Sequence, residues 1–279
     1  MTKQFVSRCL LVIVTSVMSL VGVPAGLSSA SPRSDVCVRG GACAVVSISS
    51  GVNDPREPSG EGPLRSTALP GFRRTFVDDF VGRRLSAQWS LFAGQPGSDP
   101  GAQWSPSHVR VSGGMLTLNA WPDSAYGGRW VTGGLCACHR AQKYGAFFVR
   151  ARLSGPGATF VGLLWPLSGW PPEVDFTETY GSISHSMATV HFGQRNNQLH
   201  SEVKVDMERW HTWGVIWTPR LLLFTLDGVV WGRVTSAAAV PDVPMSLHLQ
   251  QQTWCADNYA CPVSPQSVQI DWVEVFRRV

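Results

Sequence analysis

The sequence predicts an all-β fold, a sandwich or jelly roll of two packed antiparallel sheets. Many short runs of strand-forming residues are separated by turn signals rich in Gly, Pro, Asp and Ser. No segment of helical length repeats its apolar residues with a period of 3.6. Hydrophobic residues make up 44% of the 279 residues and charged residues 15%, so the chain can bury a core and has too little charge to be disordered.

Residues 1–30 have the pattern of a secretory signal peptide. Lys3 and Arg8 precede an apolar run over residues 9–23, and small residues lead to a cleavage site after Ala30. The run of about 15 residues is shorter than the roughly 20 that a membrane helix needs. We therefore expect a secreted protein that has no membrane contact after cleavage.

Residues 31–70 are rich in Pro, Gly and Ser and show no periodicity, which predicts a flexible N-terminal segment. Strand-like runs start at Phe72, so we expect the folded domain to cover residues 71–279. The formal net charge is +4, and two of these charges belong to the leader. No basic stripe remains, which argues against binding to nucleic acid or to anionic membranes. We expect a monomer.

Turn residues define the strands of this domain. Asp227-Gly228 suits the positive φ angles of a two-residue hairpin turn, and Ser112-Gly113-Gly114 is a second turn signal. Arg150 and Arg152 alternate with apolar residues, as in a half-solvated strand. The strand-like runs cover residues 109–111, 115–119, 147–153, 160–165, 187–192, 211–217, 222–226, 229–234, 246–250 and 268–276.

Six cysteines remain after the leader, which predicts disulfide bonds in an exported chain. Four of them suggest local pairs: Cys37 with Cys43, and Cys255 with Cys261. Cys136 and Cys138 would lie about 6.6 Å apart on a strand, near the limit for a disulfide. A strained bridge between them and a longer-range pairing both stay open. Zinc bound by Cys136, Cys138 and His139 is a weaker alternative, because a second ligand pair is missing.

Twelve tryptophans are too many for a core of this size. Trp213, Trp217 and Trp272 lie in strand-like alternation and are core candidates. The others near Gly, Pro or strand ends could line a cleft, where indole faces stack on flat ligands such as sugar rings. These cleft candidates are Trp104, Trp121, Trp130, Trp165, Trp170 and Trp254.

Three acids lie within six residues and alternate with Val and Phe: Glu173, Asp175 and Glu178. Glu173 and Asp175 share one face of a strand, whereas Glu178 would point to the other face. A β-bulge at Phe176 or Thr177 would return Glu178 to the face of Glu173. Their Cα atoms would then be roughly 13 Å apart and their carboxyl groups roughly 5 Å apart.

A carboxyl separation of roughly 5 Å is typical of retaining glycosidases. We therefore expect Glu173 to be the nucleophile and Glu178 the general acid and base. Asp175 would share a proton with Glu173 and tune its charge. The alternatives are a calcium-binding strand or a merely solvated acidic strand. Calcium prefers acids on flexible loops with help from carbonyl groups, and solvated acids rarely alternate with Val and Phe.

The pattern Glu-x-Asp-x-x-Glu followed by Tyr180-Gly181 resembles the bulged signature of glycoside hydrolase family 16. The resemblance extends from about Phe72 to the closing strand around Trp272. It implies a concanavalin-like jelly roll with a concave glycan-binding cleft, and retaining cleavage of β-linked glucans or galactans. One departure is Pro172, which stands where the family usually has Gly; proline is accepted at the first residue of a strand.

By this resemblance, Glu173, Asp175 and Glu178 correspond to the nucleophile, the assisting acid and the acid/base. Trp165 and Trp170 match aromatic residues that flank the donor subsites, and His191 matches a histidine on the neighbouring strand; the cleft candidate Trp254 completes the expected substrate-binding set. The reaction requires no cofactor. Some members carry a structural calcium, for which Asp271 and a carbonyl near Gly113 are the candidate ligands.

Together these features predict a secreted retaining endo-β-glycosidase of the laminarinase-like type. Its expected partner is a polysaccharide substrate, and β-1,3-glucan is favoured because the bulged signature is common among laminarinase-like members. A non-catalytic glycan-binding module on the same fold is the alternative from another class. Transglycosylation is a third interpretation, since acceptor-side aromatic residues could exclude water.

Overall fold

The computed structural model describes residues 51–279 except residues 98, 100 and 258, together with the backbone of residues 35–37 and 43–45. The predicted signal peptide and the side chains of Cys37 and Cys43 lie outside the described part. Within that part, no helix is long and apolar enough to cross a membrane.

Strands account for most of the regular structure. In chain order they are β1 (Asp35–Cys37), β2 (Cys43–Val45), β3 (Val52–Asn53), β4 (Glu61–Gly62), β5 (Phe72–Asp78), β6 (Ser90–Leu91), β7 (Val109–Ser112), β8 (Met115–Asp123), β9 (Arg129–Val131), β10 (Gly134–Cys136), β11 (Gly145–Leu153), β12 (Thr159–Pro166), β13 (Glu173–Glu178), β14 (His185–Phe192), β15 (Asn197–Lys204), β16 (His211–Thr218), β17 (Leu221–Leu226), β18 (Val229–Val234), β19 (Met245–Gln252) and β20 (Gln266–Arg278). Short 3-10 helices cover Pro106–His108, Ser124–Tyr126, Cys138–Arg140 and Cys255–Asp257.

Two large antiparallel sheets form the predicted sandwich, so the expected fold class is confirmed. One sheet has the strand order β15-β14-β13-β12-β19-β10-β6. The other has the order β18-β17-β16-β11-β20-β8-β7, with β5 added to β20 and β9 added to β8. Two of the predicted turns are also confirmed. Gly113 and Gly114 join β7 to β8, and Asp227 and Gly228 join β17 to β18, all four with positive φ as such hairpin turns require.

The main core lies between the two sheets. Apolar side chains from both sheets meet there, including Phe147, Phe176 and Val190, which are at most 1% exposed. The predicted core residues Trp213 and Trp217 belong to this cluster. Trp272 is equally buried, but it belongs to a second cluster with Leu64 and other residues.

Residues 51–70 differ from the flexible segment predicted for them. Leu64 and Leu69 are 2% and 1% exposed and pack on Phe148 and Trp272 of the nine-stranded sheet. The Trp272 indole N–H donates to the Glu61 carbonyl at 2.8 Å. The segment therefore covers apolar residues of this sheet and stabilises the second core by burying its surface.

The same N-terminal segment explains why Arg150 on β11 is more buried than predicted. Arg150 was expected on a half-solvated strand, but it is only 4% exposed. Its guanidinium donates to Ser59 Oγ at 2.7 Å and lies 3.3 Å from a Glu61 carboxylate oxygen. Residues of the N-terminal segment replace water here, because a buried charge needs a partner and hydrogen bonds.

Two disulfides are present among the described residues. Cys255 and Cys261 form the expected local bridge, with Cα atoms 4.6 Å apart. Cys136 and Cys138 are also bonded to each other, which settles the pairing that their spacing left open. Their Cα atoms are 5.0 Å apart, closer than on a strand, because β10 ends at Cys136 and Ala137 takes a bent conformation with φ −85° and ψ 52°.

Candidate active site

The three acids lie on β13, between β12 and β14 in the seven-stranded sheet. Asp175 pairs with Thr189 and Glu178 with Met187, so β13 advances by three residues while β14 advances by two. The extra residue is a β-bulge, as the spacing predicts. It restores Glu178 to the side of the strand that carries Glu173 and Asp175.

The intervening side chains identify which side this is. Val174 and Phe176 are fully buried in the core between the sheets. The acids therefore point to the opposite side, the outer face of the seven-stranded sheet. On the neighbouring strand, Leu163 pairs with Asp175 and Val161 with Glu178, so apolar residues of β12 flank the acids on that face.

Burial and mutual repulsion set the charge of the acids. Burial raises the pKa of Glu173, while hydrogen bonding from Trp170 and the charge of His191 oppose that rise. Burial, followed by the charges of Glu173 and Glu178, raises the pKa of Asp175 well above its ordinary value. Burial is also the main cause that raises the pKa of Glu178 to about 7. A group of this kind can hold a proton at neutral pH and keep one carboxylate ionised.

The residues predicted around Glu173 are brought together. The Trp170 indole N–H donates to Glu173 Oε2 at 2.7 Å, and Trp165 stacks on Trp170 with ring centroids 6.3 Å apart and planes 15° apart. His191 Nε2 lies 3.3 Å from Asp175 Oδ2. Trp170 is 45% exposed, so part of its ring surface is free for a ligand.

The predicted cleft residue Trp254 lies in another aromatic group. Its ring stacks on Tyr259 at 5.5 Å with planes 13° apart, and Tyr259 lies 6.5 Å from Tyr180. Among the remaining cleft candidates, Trp121 stacks on His108 at 3.6 Å instead. The others are held elsewhere: the Trp104 indole donates to the Gln251 carbonyl, and Trp130 lies on β9 of the nine-stranded sheet.

His248 on β19 is a neighbour of the site that the sequence analysis missed. It pairs with Leu163, the same residue that pairs with Asp175, so its side chain lies on the face of the acids. Ser246 Oγ is 3.0 Å from its Nε2. Burial lowers the pKa of His248 to about 4, so the imidazole is neutral at pH 7 and can donate or accept a hydrogen bond. A lone histidine in a strand gives no sequence signal for this position.

The zinc alternative finds no support in the chemistry of the cysteines. Cys136, Cys138 and His248 lie close enough to hold a metal, but the two sulfurs are bonded to each other and zinc sites use thiolates. The histidine that lies beside these two cysteines is His248, not the predicted His139.

Asp271, a predicted calcium ligand, lies in a cluster with Glu57 and Asp79, in which one oxygen of each is within 4.8 Å of the others. Asp271 Oδ1 and Asp79 Oδ1 are buried and have no hydrogen-bond partner. Burial is the first cause that raises the pKa of all three carboxyl groups. Buried oxygens without donors suit a hard cation such as Ca²⁺. Gly113, the other predicted ligand, lies in the turn beside Gly114. A Cβ added to Gly114 would lie 3.3 Å from Pro58, so this turn is close to the residue that follows Glu57.

Comparisons with known proteins agree with this architecture. The family model for glycosyl hydrolases family 16 matches residues 97–274. Two relatives from Rhizobium meliloti (strain 1021), the endo-1,3-1,4-beta-glycanases ExsH and EglC, are 32% and 30% identical to the chain over 174 and 175 residues. Each match covers 58% of this chain but 35% of the relative, so the chain spans about a third of their length.

Solved structures show the same fold. The laminarinase from Rhodothermus marinus is similar with a TM-score of 0.67 and 23% identity, over 76% of this chain and 99% of that one. The laminarinase catalytic domain from Thermotoga maritima MSB8 is similar with a TM-score of 0.66 and 18% identity, over 75% and 99%.

Proposed function

Because the chain belongs to glycosyl hydrolase family 16, we propose that it hydrolyses the β-linked bonds of a glucan with retention of anomeric configuration. The bulge in β13 is the observation that carries this proposal, because it turns three carboxyl groups toward one face. A non-catalytic binding module would not need a protonated and an ionisable acid side by side on a strand.

In the first step, a Glu173 carboxylate oxygen attacks the anomeric carbon. The bond from this carbon to the leaving oxygen breaks, and Glu178 gives its proton to that oxygen. A pKa of about 7 keeps Glu178 protonated below neutral pH. The hydrogen bond from the Trp170 indole to Glu173 favours the ionised form of the nucleophile and holds it in place.

In the second step, Glu178 takes a proton from water as the water oxygen attacks the anomeric carbon. The bond to Glu173 then breaks and restores its carboxylate. Asp175 shares its proton with Glu173 before the attack, which limits repulsion among the three acids. No cofactor enters these steps.

We propose β-1,3-linked glucan, including mixed β-1,3-1,4-glucan, as the substrate class. The support is that the relatives are endo-1,3-1,4-beta-glycanases and the similar structures include laminarinases. We also propose that the protein acts outside the cell, since residues 1–30 resemble a signal peptide and two disulfides suit an oxidising compartment.

We further propose a structural calcium held by Glu57, Asp79 and Asp271, with a carbonyl oxygen near Gly113. The unpartnered buried oxygens of Asp79 and Asp271 support this site. Bound there, the ion would neutralise the carboxylates and stabilise the fold. It would take no part in bond cleavage, because its ligands lie far along the chain from β13. Asp271 is in β20, Asp79 directly follows β5, and Glu57 lies between β3 and β4.

The test is a substrate screen with laminarin, lichenan, agarose and xyloglucan, followed by NMR of the first products. We expect laminarin and lichenan to be cleaved, with the β anomer formed first. The matched control is Glu173→Gln, which should fold with a melting temperature no lower than that of the wild type and lose turnover. Initial formation of the α anomer, or a Glu173→Gln variant with normal activity, would contradict the proposal.

A further inference from the structure

A second aromatic group lies at the Glu178 end of β13. It consists of Tyr180, Tyr259 and Trp254, which we call the tyrosine platform. Tyr180 follows Glu178 by two residues, and Tyr259 lies 6.5 Å from Tyr180 between ring centroids. Trp254 stacks on Tyr259 at 5.5 Å. Tyr259 and Tyr180 are 41% and 36% exposed, so their rings are open to a ligand.

The backbone holds this platform in place from two sides. The disulfide between Cys255 and Cys261 closes the loop that carries Tyr259. The Trp254 N–H donates to the Ala260 carbonyl at 3.2 Å across the base of the loop. The ring of Tyr259 is therefore oriented before any ligand arrives, which reduces the entropy cost of binding.

Two glycines bring the loop close to the end of β13. A Cβ on Gly181 would lie 2.8 Å from Ala260 Cα, and a Cβ on Gly157 would overlap Pro262. Both glycines have positive φ, at 77° and 116°, a region that side chains disfavour. The Gly157 N–H also donates to the Gly181 carbonyl at 2.8 Å. The contact fixes Tyr259 against the turn that carries Tyr180.

The two aromatic groups lie at opposite ends of the acid row. Trp170 donates to Glu173, the proposed nucleophile, whereas Tyr180 follows Glu178 by two residues and Tyr259 lies 6.5 Å from Tyr180. Burial, and then the charge of Glu178, raises the pKa of the Tyr180 phenol. The group that protonates the leaving oxygen lies next to the departing sugar. The platform is therefore on the side where the leaving half of the substrate must lie.

We infer that the tyrosine platform binds the pyranose ring of the leaving group, and the ring of an acceptor sugar when transfer replaces hydrolysis. This inference rests on the proposed function and names a binding site within it. The open surface of Tyr259 offers a flat apolar face to the C–H face of a hexopyranose, and the phenol groups offer hydrogen bonds to its hydroxyls.

The same site would direct the second step. When a sugar hydroxyl lies on the platform, its oxygen attacks the anomeric carbon, Glu178 takes its proton, and the bond to Glu173 breaks. The product is a longer glycoside instead of a reducing sugar. Water and the acceptor compete for one intermediate, so the ratio of transfer to hydrolysis measures binding at the platform.

The experiment compares Tyr259→Ala with the wild type on two donors. Laminarihexaose has a sugar as leaving group, whereas β-laminaribiosyl fluoride loses fluoride and needs no leaving-group site. We expect Tyr259→Ala to lower kcat/KM for laminarihexaose about 10-fold, equivalent to about 1.4 kcal/mol of transition-state binding. The kcat/KM for the fluoride should change much less. Tyr259→Phe keeps the ring and should recover most of the loss, and Val263→Ala, at an exposed position near the loop, is the control for nonspecific effects.

A second measurement does not depend on the folded fraction of the variant. With the fluoride donor and methyl β-laminaribioside as acceptor, the transfer-to-hydrolysis ratio should fall about 10-fold in Tyr259→Ala. Equal losses on the two donors, or an unchanged ratio, would overturn the inference. A wild type that cleaves neither donor would instead contradict the proposed function itself.

Discussion

Glu178→Gln should inactivate the protein and, at alkaline pH, make it more stable. Burial raises the pKa of Glu178 from 4.5 to about 7. In the unfolded chain this carboxyl ionises near pH 4.5, so the folded state, which holds the proton longer, loses stability as pH rises from 4.5 toward 7. Above pH 7 the loss is complete and constant. A neutral glutamine removes it.

The size of the effect follows from the shift. One pKa unit corresponds to about 1.4 kcal/mol, so the rise to about 7 sets an upper limit of roughly 3 kcal/mol. Glu178 is half-buried on an open face, and water screens part of the penalty. We expect a gain of about 1–2 kcal/mol at pH 8, or a melting temperature higher by about 3–6 °C for a domain of this size.

The assay is thermal unfolding of the wild type and the variant between pH 4.5 and pH 8. The difference in melting temperature should be near zero at pH 4.5 and should grow toward pH 8. Glu208→Gln is the matched control, because this glutamate is exposed and lies outside β13. A difference that does not grow with pH would refute the claim that the acid/base is held protonated by burial.

Three other measurements test separate parts of the account. Azide should restore turnover of Glu178→Ala on substrates with good leaving groups; absence of rescue would contradict the acid/base role. Leu64→Ala should lower stability by about 2–5 kcal/mol, since Leu64 is 2% exposed, while kcat per folded molecule stays constant; an unchanged melting temperature would mean that residues 51–70 do not contribute to the fold. A chelator should lower the melting temperature of the wild type, and Ca²⁺ should restore it, whereas Asp271→Asn should respond to neither; a wild type insensitive to both would rule out the calcium site.

The bulge was predictable because strands alternate with a period of two. Glu173 and Glu178 are five positions apart, and only an extra residue can put them on one face. The apolar residues Val174 and Phe176 alternate with the acids and identify the side of the strand that faces the core, where both are buried. Local chemistry of this kind, together with the Asp227-Gly228 turn and the bridge between Cys255 and Cys261, is readable from sequence because it depends on neighbours within a few positions.

Features that depend on distant parts of the chain could not be read in this way. Leu64 and Leu69 are isolated apolar residues in a Pro- and Gly-rich segment, and their partners, such as Trp272, are about 200 positions away. Arg150 looked solvated for the same reason. His248 and Tyr259 carry no local pattern, and only the pairing of β12 with β19 and the contact at Gly181 bring them to the acids.

The central claim is that Glu173 forms a covalent bond to the sugar. The most direct measurement is to incubate the protein with 2-deoxy-2-fluoro-β-laminaribiosyl fluoride, whose glycosyl-enzyme breaks down slowly, and to record intact and peptide mass spectra. We predict one added disaccharide per protein, on the peptide that contains Glu173. Labelling of a different residue, or no label on a protein that turns over laminarin, would contradict the mechanism.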